Sequence, residues 1–314
     1  MMQAQTHITE LLKLGRLLKS AEIIPPRNGA DFSKIKEQIS SLKEVPVDFI
    51  SVTKGAGGSL RGGTLPIAQI IKDQFGICSL AHFTCRDYTV NEVENSLMDH
   101  HYFGVHNILA LRGDPPDGQP DLFLNNAKPH SQRHAFAWQL VNQIRKLNQG
   151  EYIVRPGFDK TTESGLRSGE KTDFCVGVAA HPEEKPFEKA IEYLKVKVDN
   201  GAKFAITQML FFPEVYSRFL DACAKQNINI PIFPGIRILT QASAGKMMVE
   251  RFGVSAPDKL LLALENAKDK ESAKTIGFDF TYDLCQKLIK AGAPGIHIFV
   301  MFDAVLGAKL LKAL

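Results

Sequence analysis

The chain has 314 residues, of which 44% are hydrophobic and 23% are charged, with a formal net charge of +4. These values are those of an ordinary globular protein large enough to bury a sizeable core. The mild charge without a clustered basic stripe argues against nucleic-acid binding, and no apolar run approaches the roughly 20 residues that a transmembrane helix needs.

The N-terminal segment and the cysteines predict where the protein resides. The first apolar stretch is broken by charged residues, unlike a secretory signal, and Leu11, Leu14 and Leu18 recur at helical spacing. We therefore expect an amphipathic N-terminal helix within residues 1–19 that packs on the domain. The five cysteines form no Cys-x-x-Cys pair, which favours reduced thiols. Together these features predict a soluble, cytoplasmic protein.

Eight short apolar runs, rich in β-branched residues, follow one another along the chain and alternate with helical patterns. They are Ala21–Ile24, Asp48–Thr53, Cys78–Phe83, His106–Leu111, Cys175–Ala180, Lys203–Gln208, Ile228–Phe233 and Gly295–Val300. Because their hydrophobicity is continuous, both faces of each strand are expected to be buried, as in parallel sheets. Eight β-then-α units predict a single α/β domain over residues 1–314, a (β/α)8 TIM barrel, with an open doubly wound sheet as the alternative.

The connecting segments carry helix and loop signals. Thr89 and Glu92 have the spacing of a capping box, which predicts a helix start. Residues 115–134 and 150–172 are rich in Pro, Gly, Asn and Ser and are predicted to be loops. The connection over residues 242–291 is predicted to hold two or three helical segments.

Polar residues follow most of the eight runs, where the strands of parallel barrels carry their chemistry. Glu22 lies in an apolar run, where a carboxylate is costly unless it is paired or functional. It is predicted to be a general acid or, alternatively, to pair with Arg27. On residue type alone, His82 would more often be a hydrogen-bonded core histidine, and Gln208 either faces a ligand or bonds a neighbouring loop.

Several other kinds of site are not supported. The glycine-rich segment after the second run fails the dinucleotide fingerprint at Leu60 and the phosphate-binding loop at Gly63. No His-Glu-x-x-His motif or cysteine cluster is present, so no metal site is predicted. No lysine lies within the last residues of a strand, so a Schiff-base enzyme lacks its nucleophile.

Four segments together resemble the methylenetetrahydrofolate reductase family: FISVTKGAGGS, AHFTCRD, ILALRGDPP and KVDNGAKFAITQMLFF. The resemblance runs from about Ala21 to Leu314. It implies a (β/α)8 barrel that binds FAD as a flavoprotein oxidoreductase. The implied reaction passes a hydride from NADH or NADPH through the flavin to 5,10-methylenetetrahydrofolate, which yields 5-methyltetrahydrofolate for one-carbon metabolism and methionine biosynthesis.

The resemblance also implies a role for each matching residue. Glu22 matches the acid that protonates the folate ring, Asp114 the carboxylate beside flavin and folate, and Gln208 the residue that binds the pterin. The positions implied to bind the cofactor are Thr53, His82, Arg112, Gly113, Asp114, Phe136, Ala137, His181 and Lys197.

This chain departs from the family pattern at several points. Ala21, Ile23 and Ile24 surround Glu22 where phenylalanines are usual. Lys54 stands where an aromatic residue is common, His181 lies in a shortened loop, and Asp303 replaces an arginine after the last strand. The identity of the electron donor therefore stays open between NADH, NADPH and a partner protein. A catalytically silent, folate-binding scaffold is the other alternative, and a homo-oligomer is possible.

Overall fold

Eight parallel strands close into a barrel in the computed structural model of the chain. The structure describes residues 6–59, 61–86, 88–114, 133–154, 157, 159–160, 165–301 and 303–314. The barrel strands are β1 Leu18–Ile23, β2 Phe49–Val52, β3 Cys78–Thr84, β4 Asn107–Leu111, β5 Cys175–Ala180, β6 Phe204–Met209, β7 Ile232–Ile236 and β8 Gly295–Met301. They follow one another in chain order, and β8 closes on β1 with Leu18 opposite Gly295. The predicted (β/α)8 barrel is confirmed.

Eleven helices lie in the described part of the chain and cover the barrel. They are α1 Ile8–Leu12, α2 Ser33–Lys43, α3 Thr64–Phe75, α4 Val90–Tyr102, α5 Ala137–Gln149, α6 Phe187–Asp199, α7 Pro213–Lys225, α8 Ala242–Phe252, α9 Asp258–Glu265, α10 Lys270–Lys290 and α11 Ala304–Ala313. The predicted capping box of Thr89 and Glu92 begins α4. The predicted helical segments between the last two strands are α8, α9 and α10.

The barrel interior is filled by alternate residues of each strand, since successive side chains of a strand point to opposite faces. Phe49, Phe204 and Phe233 pack there near the amino ends of the strands. Ile8 of α1 belongs to the same cluster, and its backbone N–H donates to Asn107 Oδ1 at 2.9 Å. The extra N-terminal helix thus closes the floor of the barrel.

Three expected boundaries are wrong. The first strand begins at Leu18, three residues before the expected Ala21. The N-terminal helix ends at Leu12, because Gly15 takes a left-handed conformation and Leu18 begins β1 instead; Leu14 is 57% exposed. The seventh strand begins four residues late, at Ile232. The N–H of Ile228 donates to Cys223 O at 2.9 Å and so belongs to the end of α7.

The structure describes much of the predicted loop over residues 150–172 but very little of the one over residues 115–134. Within residues 150–172, Glu151–Tyr152 and Arg167–Ser168 form a short antiparallel pair. Of residues 115–134, only the last two lie inside the described residues. No helix in the described part is long and apolar enough to span a bilayer.

Candidate active site

A carboxyl group and two imidazoles meet inside the barrel, near the carboxyl ends of the strands. Glu22 of β1 has a side chain that is only 12% exposed, and its Oε2 lies 3.3 Å from His82 Nε2 and 3.9 Å from His297 Nε2. Arg27, the alternative partner, is exposed on the loop after β1. Among the described residues, no lysine or arginine forms an ion pair with Glu22. Glu22 therefore lies among imidazoles rather than in the ion pair considered from the sequence.

Hydrogen bonds fix the orientation of His297 in β8. Ser20 Oγ donates to Ile296 O at 3.1 Å, so at 2.9 Å it accepts from His297 Nδ1. The lone pair of His297 is then on Nε2, which lies 3.3 Å from Ser51 Oγ and faces Glu22. In this tautomer an acceptor nitrogen therefore faces the carboxyl from β8. Sequence reasoning missed His297, although a histidine within an apolar strand is the same signal that identified His82.

His82 is neutral at physiological pH. Burial lowers the pKa of His82 to about 4, and the opposing effect of Glu22 is smaller. Its Nε2 is buried and, within the described residues, has no hydrogen-bond partner, because the contact with Glu22 is poorly aligned. The Oγ1 atom of Thr53, just after β2, is likewise buried and lacks a partner there. Since buried polar atoms are nearly always satisfied, these two atoms indicate a ligand.

The Arg112-Gly113-Asp114 segment leaves β4 at the same end of the barrel. Gly113 has a φ of 99°, and a Cβ at this position would lie 3.2 Å from the Cβ of Thr84. Glycine is therefore required for the turn that follows the strand. Asp114 is exposed, and its Oδ2 accepts from the backbone N–H of Gly57 at 2.7 Å. The loops after β2 and β4 thus meet at a carboxylate.

His181 and Lys197 approach this side of the barrel from β5 and α6. His181 is an exposed residue in the loop after β5. Desolvation by the protein atoms around the ring, and next the charge of Lys197, lower its pKa, while Asp114 acts in the opposite direction. Lys197 Nζ donates to Ala179 O at 2.7 Å. Burial lowers the pKa of Lys197 to about 8, so the amine is still mostly charged at neutral pH. The structure therefore brings both predicted residues to the end of β5.

Gln208 lies at an irregularity of β6. The register with β7 shifts between Ile206 and Met209. There the Thr207 hydroxyl accepts from the N–H of Gly235 at 2.9 Å, and Gln208 Oε1 accepts from the N–H of Met209 at 3.0 Å. Gln208 and His181 line a common cleft of about 240 Å³, whose other wall includes Phe252 of α8.

Arg237 directly follows β7. Phe233 lies inside the barrel, so alternation places Gly235 and Arg237 on the same interior-facing side. Arg237 is half-buried, and burial lowers its pKa. Within the described residues no hydrogen bond or ion pair to its guanidinium is present. A desolvated cation of this kind indicates an anionic or carbonyl-bearing ligand.

Four further residues considered from the sequence are Phe136, Ala137, Lys54 and Asp303. Phe136 is 51% exposed and immediately precedes α5, which begins at Ala137. Lys54 Nζ lies 4.5 Å and 4.3 Å from the ring centroids of Phe83 and Tyr88, in cation–π contact. Asp303 caps α11 by accepting from the N–H of Leu306 at 2.9 Å.

The chain was compared with known proteins. The family model described as methylenetetrahydrofolate reductase matches residues 7–314. The 5,10-methylenetetrahydrofolate reductase of Escherichia coli (strain K12) is 30% identical over 292 residues, which cover 91% of this chain and 87% of that protein. Methylenetetrahydrofolate reductase (NADH) 1 of Arabidopsis thaliana is 29% identical over 96% of this chain and 48% of its own length.

Coverage differs between the relatives. The chain spans about half the length of the plant and fission-yeast relatives, and most of the length of the bacterial ones. A solved structure of an uncharacterized protein from Clostridium thermocellum, which binds two copies of 5-methyl-5,6,7,8-tetrahydrofolic acid, matches with a TM-score of 0.60 and 15% identity over 98% of both chains. At this identity the match supports the fold alone.

Proposed function

The chain belongs to the methylenetetrahydrofolate reductase family, and we propose that it reduces 5,10-methylenetetrahydrofolate to 5-methyltetrahydrofolate with electrons from NADH or NADPH. The observation that carries this proposal is that the largely buried Glu22 lies at the same end of the barrel as Asp114. There Thr53 and His82 also have buried polar atoms with no hydrogen-bond partner among the described residues. The bacterial relatives bear the name of this reaction, and the Clostridium thermocellum protein of the same fold binds its product.

The residues at this end of the barrel fit a flavin. An isoalloxazine ring carries carbonyl oxygens and an N–H that could satisfy the buried Nε2 of His82 and Oγ1 of Thr53. Lys197 offers a positive charge for phosphate. Among the described residues, its Nζ donates one hydrogen bond, to Ala179 O, so its other N–H groups could bind a ligand. Beside these residues, Arg112 would contribute a positive charge and Gly113 its backbone groups. Bound there, FAD would supply the hydride for the reduction.

Glu22 is assigned the proton transfer. A ring nitrogen of the folate becomes a leaving group when it is protonated, and the methylene carbon then becomes cationic. Oε2 can hold the proton, because it faces the uncharged ring of His82 and, among the described residues, no lysine or arginine pairs with it. General acids placed in this way typically contribute about 10²- to 10⁴-fold.

Asp114 and Gln208 are assigned to the developing charge and to the pterin. The Asp114 carboxylate is held by the Gly57 N–H, so its position does not have to change when the substrate becomes cationic. Gln208 presents its amide to the cleft it shares with His181. We place the enzyme in a reducing, cytoplasmic compartment, since all five cysteines are unbridged.

Absorbance of the purified, FAD-reconstituted chain tests the proposal. NADH or NADPH should bleach the flavin under anaerobic conditions, and 5,10-methylenetetrahydrofolate should then restore its colour. Bleaching by neither nucleotide would favour a protein electron donor. A chain that cannot be reconstituted with FAD would favour the silent, folate-binding scaffold.

A further inference from the structure

Three potential metal ligands meet at the opposite end of the barrel from Glu22. His7 precedes α1, His106 precedes β4, and Asp173 precedes β5. His106 Nδ1 lies 2.9 Å from Asp173 Oδ1, and His7 Nε2 lies 3.6 Å from Asp173 Oδ2. One ligand atom from each of the three residues falls within 4.8 Å of the other two. Segments far apart in the sequence thus converge on one point.

The separations suit a small tetrahedral ion. Zinc takes nitrogen and oxygen ligands at about 2.0–2.2 Å, which sets neighbouring ligand atoms of a tetrahedron roughly 3.3 Å apart. The separation of His106 Nδ1 from Asp173 Oδ1, 2.9 Å, and that of His7 Nε2 from Asp173 Oδ2, 3.6 Å, lie on either side of that value. Only small side-chain movements are needed to surround a metal.

The hydrogen bonding of His106 also favours a metal ion at this point. Its Nε2 lies 3.3 Å from the backbone oxygen of His101, so Nε2 carries the ring proton in that contact. In the neutral ring the lone pair is then on Nδ1, which faces a carboxylate oxygen of Asp173. Two acceptors at this distance repel one another unless a cation or a proton lies between them. Metal-bound histidines commonly donate their other N–H to a backbone carbonyl in this way.

Aromatic packing holds the ligand ring in place. The rings of His101 and His106 are stacked with centroids 5.3 Å apart, and Phe174 meets His106 edge-on at 6.2 Å. This packing fixes the direction of Nδ1 before any metal binds. The side chain of Asp173 is 53% exposed and that of His7 is 28% exposed, so an ion and a water ligand can enter from solvent.

We propose that His7, His106 and Asp173 bind one Zn²⁺ ion, with water as the fourth ligand, and that this ion fastens the N-terminal segment to the floor of the barrel. Two imidazoles and one carboxylate favour zinc over Mg²⁺ or Ca²⁺, which take oxygen ligands. The proposal does not depend on the function assigned to the other end of the barrel. The competing arrangement is an ion-pair network in which protonated histidines surround Asp173.

Titration of the full chain with ZnCl₂, after treatment with a chelator and followed by calorimetry, separates these arrangements. We expect one Zn²⁺ per chain, no comparable binding of MgCl₂, and a rise in Tm on adding zinc. Loss of an outer-shell partner of a metal site already costs about 10- to 100-fold in affinity, so Asp173→Asn and His7→Gln should each weaken zinc binding by at least about 10-fold. Each should also reduce the rise in Tm at a fixed zinc concentration. His7→Gln changes a partly exposed residue, so it tests the site even if a variant of the buried His106 fails to fold.

The control is His181→Gln, which removes a histidine at the other end of the barrel and should bind zinc as the parent does. Absence of stoichiometric zinc binding, or equal binding by Asp173→Asn, His7→Gln and the parent chain, would overturn the proposal. In either case the cluster is an ion-pair network.

Discussion

Replacing Glu22 by glutamine tests the role of the buried carboxyl most sharply. The side chain keeps its size, so the packing of the barrel interior is preserved, but the group can no longer release a proton. His82 is a poor substitute at neutral pH, because burial lowers its pKa to about 4 and leaves the ring without an acidic proton. Asp114, another carboxylate at this end, is held by a hydrogen bond that it accepts from the Gly57 N–H.

The expected loss of folate-reduction rate follows from the lack of an acidic proton on the neighbouring His82. General acids contribute about 10²- to 10⁴-fold, or about 2.7–5.4 kcal/mol in the barrier, and the lack of a substitute donor places Glu22→Gln in the upper half of that range. Anaerobic stopped-flow measurement of the two half-reactions is the assay. The rate of flavin reduction by NADH should stay within about twofold of the parent rate, which is a small change in barrier. The rate of flavin reoxidation by 5,10-methylenetetrahydrofolate should fall by the large factor given above.

The matched control is Glu37→Gln, which makes the same chemical change at an exposed position of α2. It should leave both half-reactions unchanged. Equal loss of both half-reactions in Glu22→Gln, or full retention of folate reduction, would refute the assignment of Glu22 as the proton donor.

Three further predictions address the rest of the structure. Gly113→Ala should destabilise the chain by about 1–3 kcal/mol, because its φ is 99° and the new Cβ would lie 3.2 Å from another side chain; an unchanged urea midpoint would contradict this. Burial lowers the pKa of His100 to about 4, below its usual value of 6.5, so the unfolded chain binds more protons between these values and stability is lost as pH falls from 6.5 toward 4. His100→Gln should therefore flatten the dependence of unfolding free energy on pH in that window by up to about 1.4 kcal/mol per pH unit, and an identical slope in variant and parent would count against it. Arg237→Met should raise KM for folate or nicotinamide several-fold with less effect on kcat, since the half-buried guanidinium lacks a partner in the described part of the chain; unchanged KM values for both substrates would contradict a ligand-binding role.

The sequence was sufficient to predict the barrel because its eight strands are continuous apolar runs separated by helical periodicity. The boundaries that failed depend on local backbone choices. Gly15 stops α1 early, and Ile228 gives its N–H to the end of α7 instead of a strand. Neither event changes the hydrophobic pattern, so the pattern alone could not reveal it.

The residues of the site were predictable to the extent that they end strands. Glu22 and His82 stood out as polar residues within apolar runs, and the structure brings them together. Contacts between loops that are distant in the chain could not be predicted from the sequence. Arg251, for example, donates to the backbone oxygen of Gly57 at 3.0 Å across 194 positions of the chain. The meeting of His7 with Asp173 likewise depends on where the N-terminal segment docks.

Identification of the product tests the central claim most directly. The FAD-reconstituted chain is incubated anaerobically with 5,10-methylenetetrahydrofolate and NADH or NADPH carrying deuterium at the transferable position, and the folate is analysed by mass spectrometry. We predict 5-methyltetrahydrofolate, formed by the parent chain and lost in Glu22→Gln. Recovery of unchanged 5,10-methylenetetrahydrofolate from the parent chain with both nucleotides, although its flavin is reduced, would contradict the proposed activity.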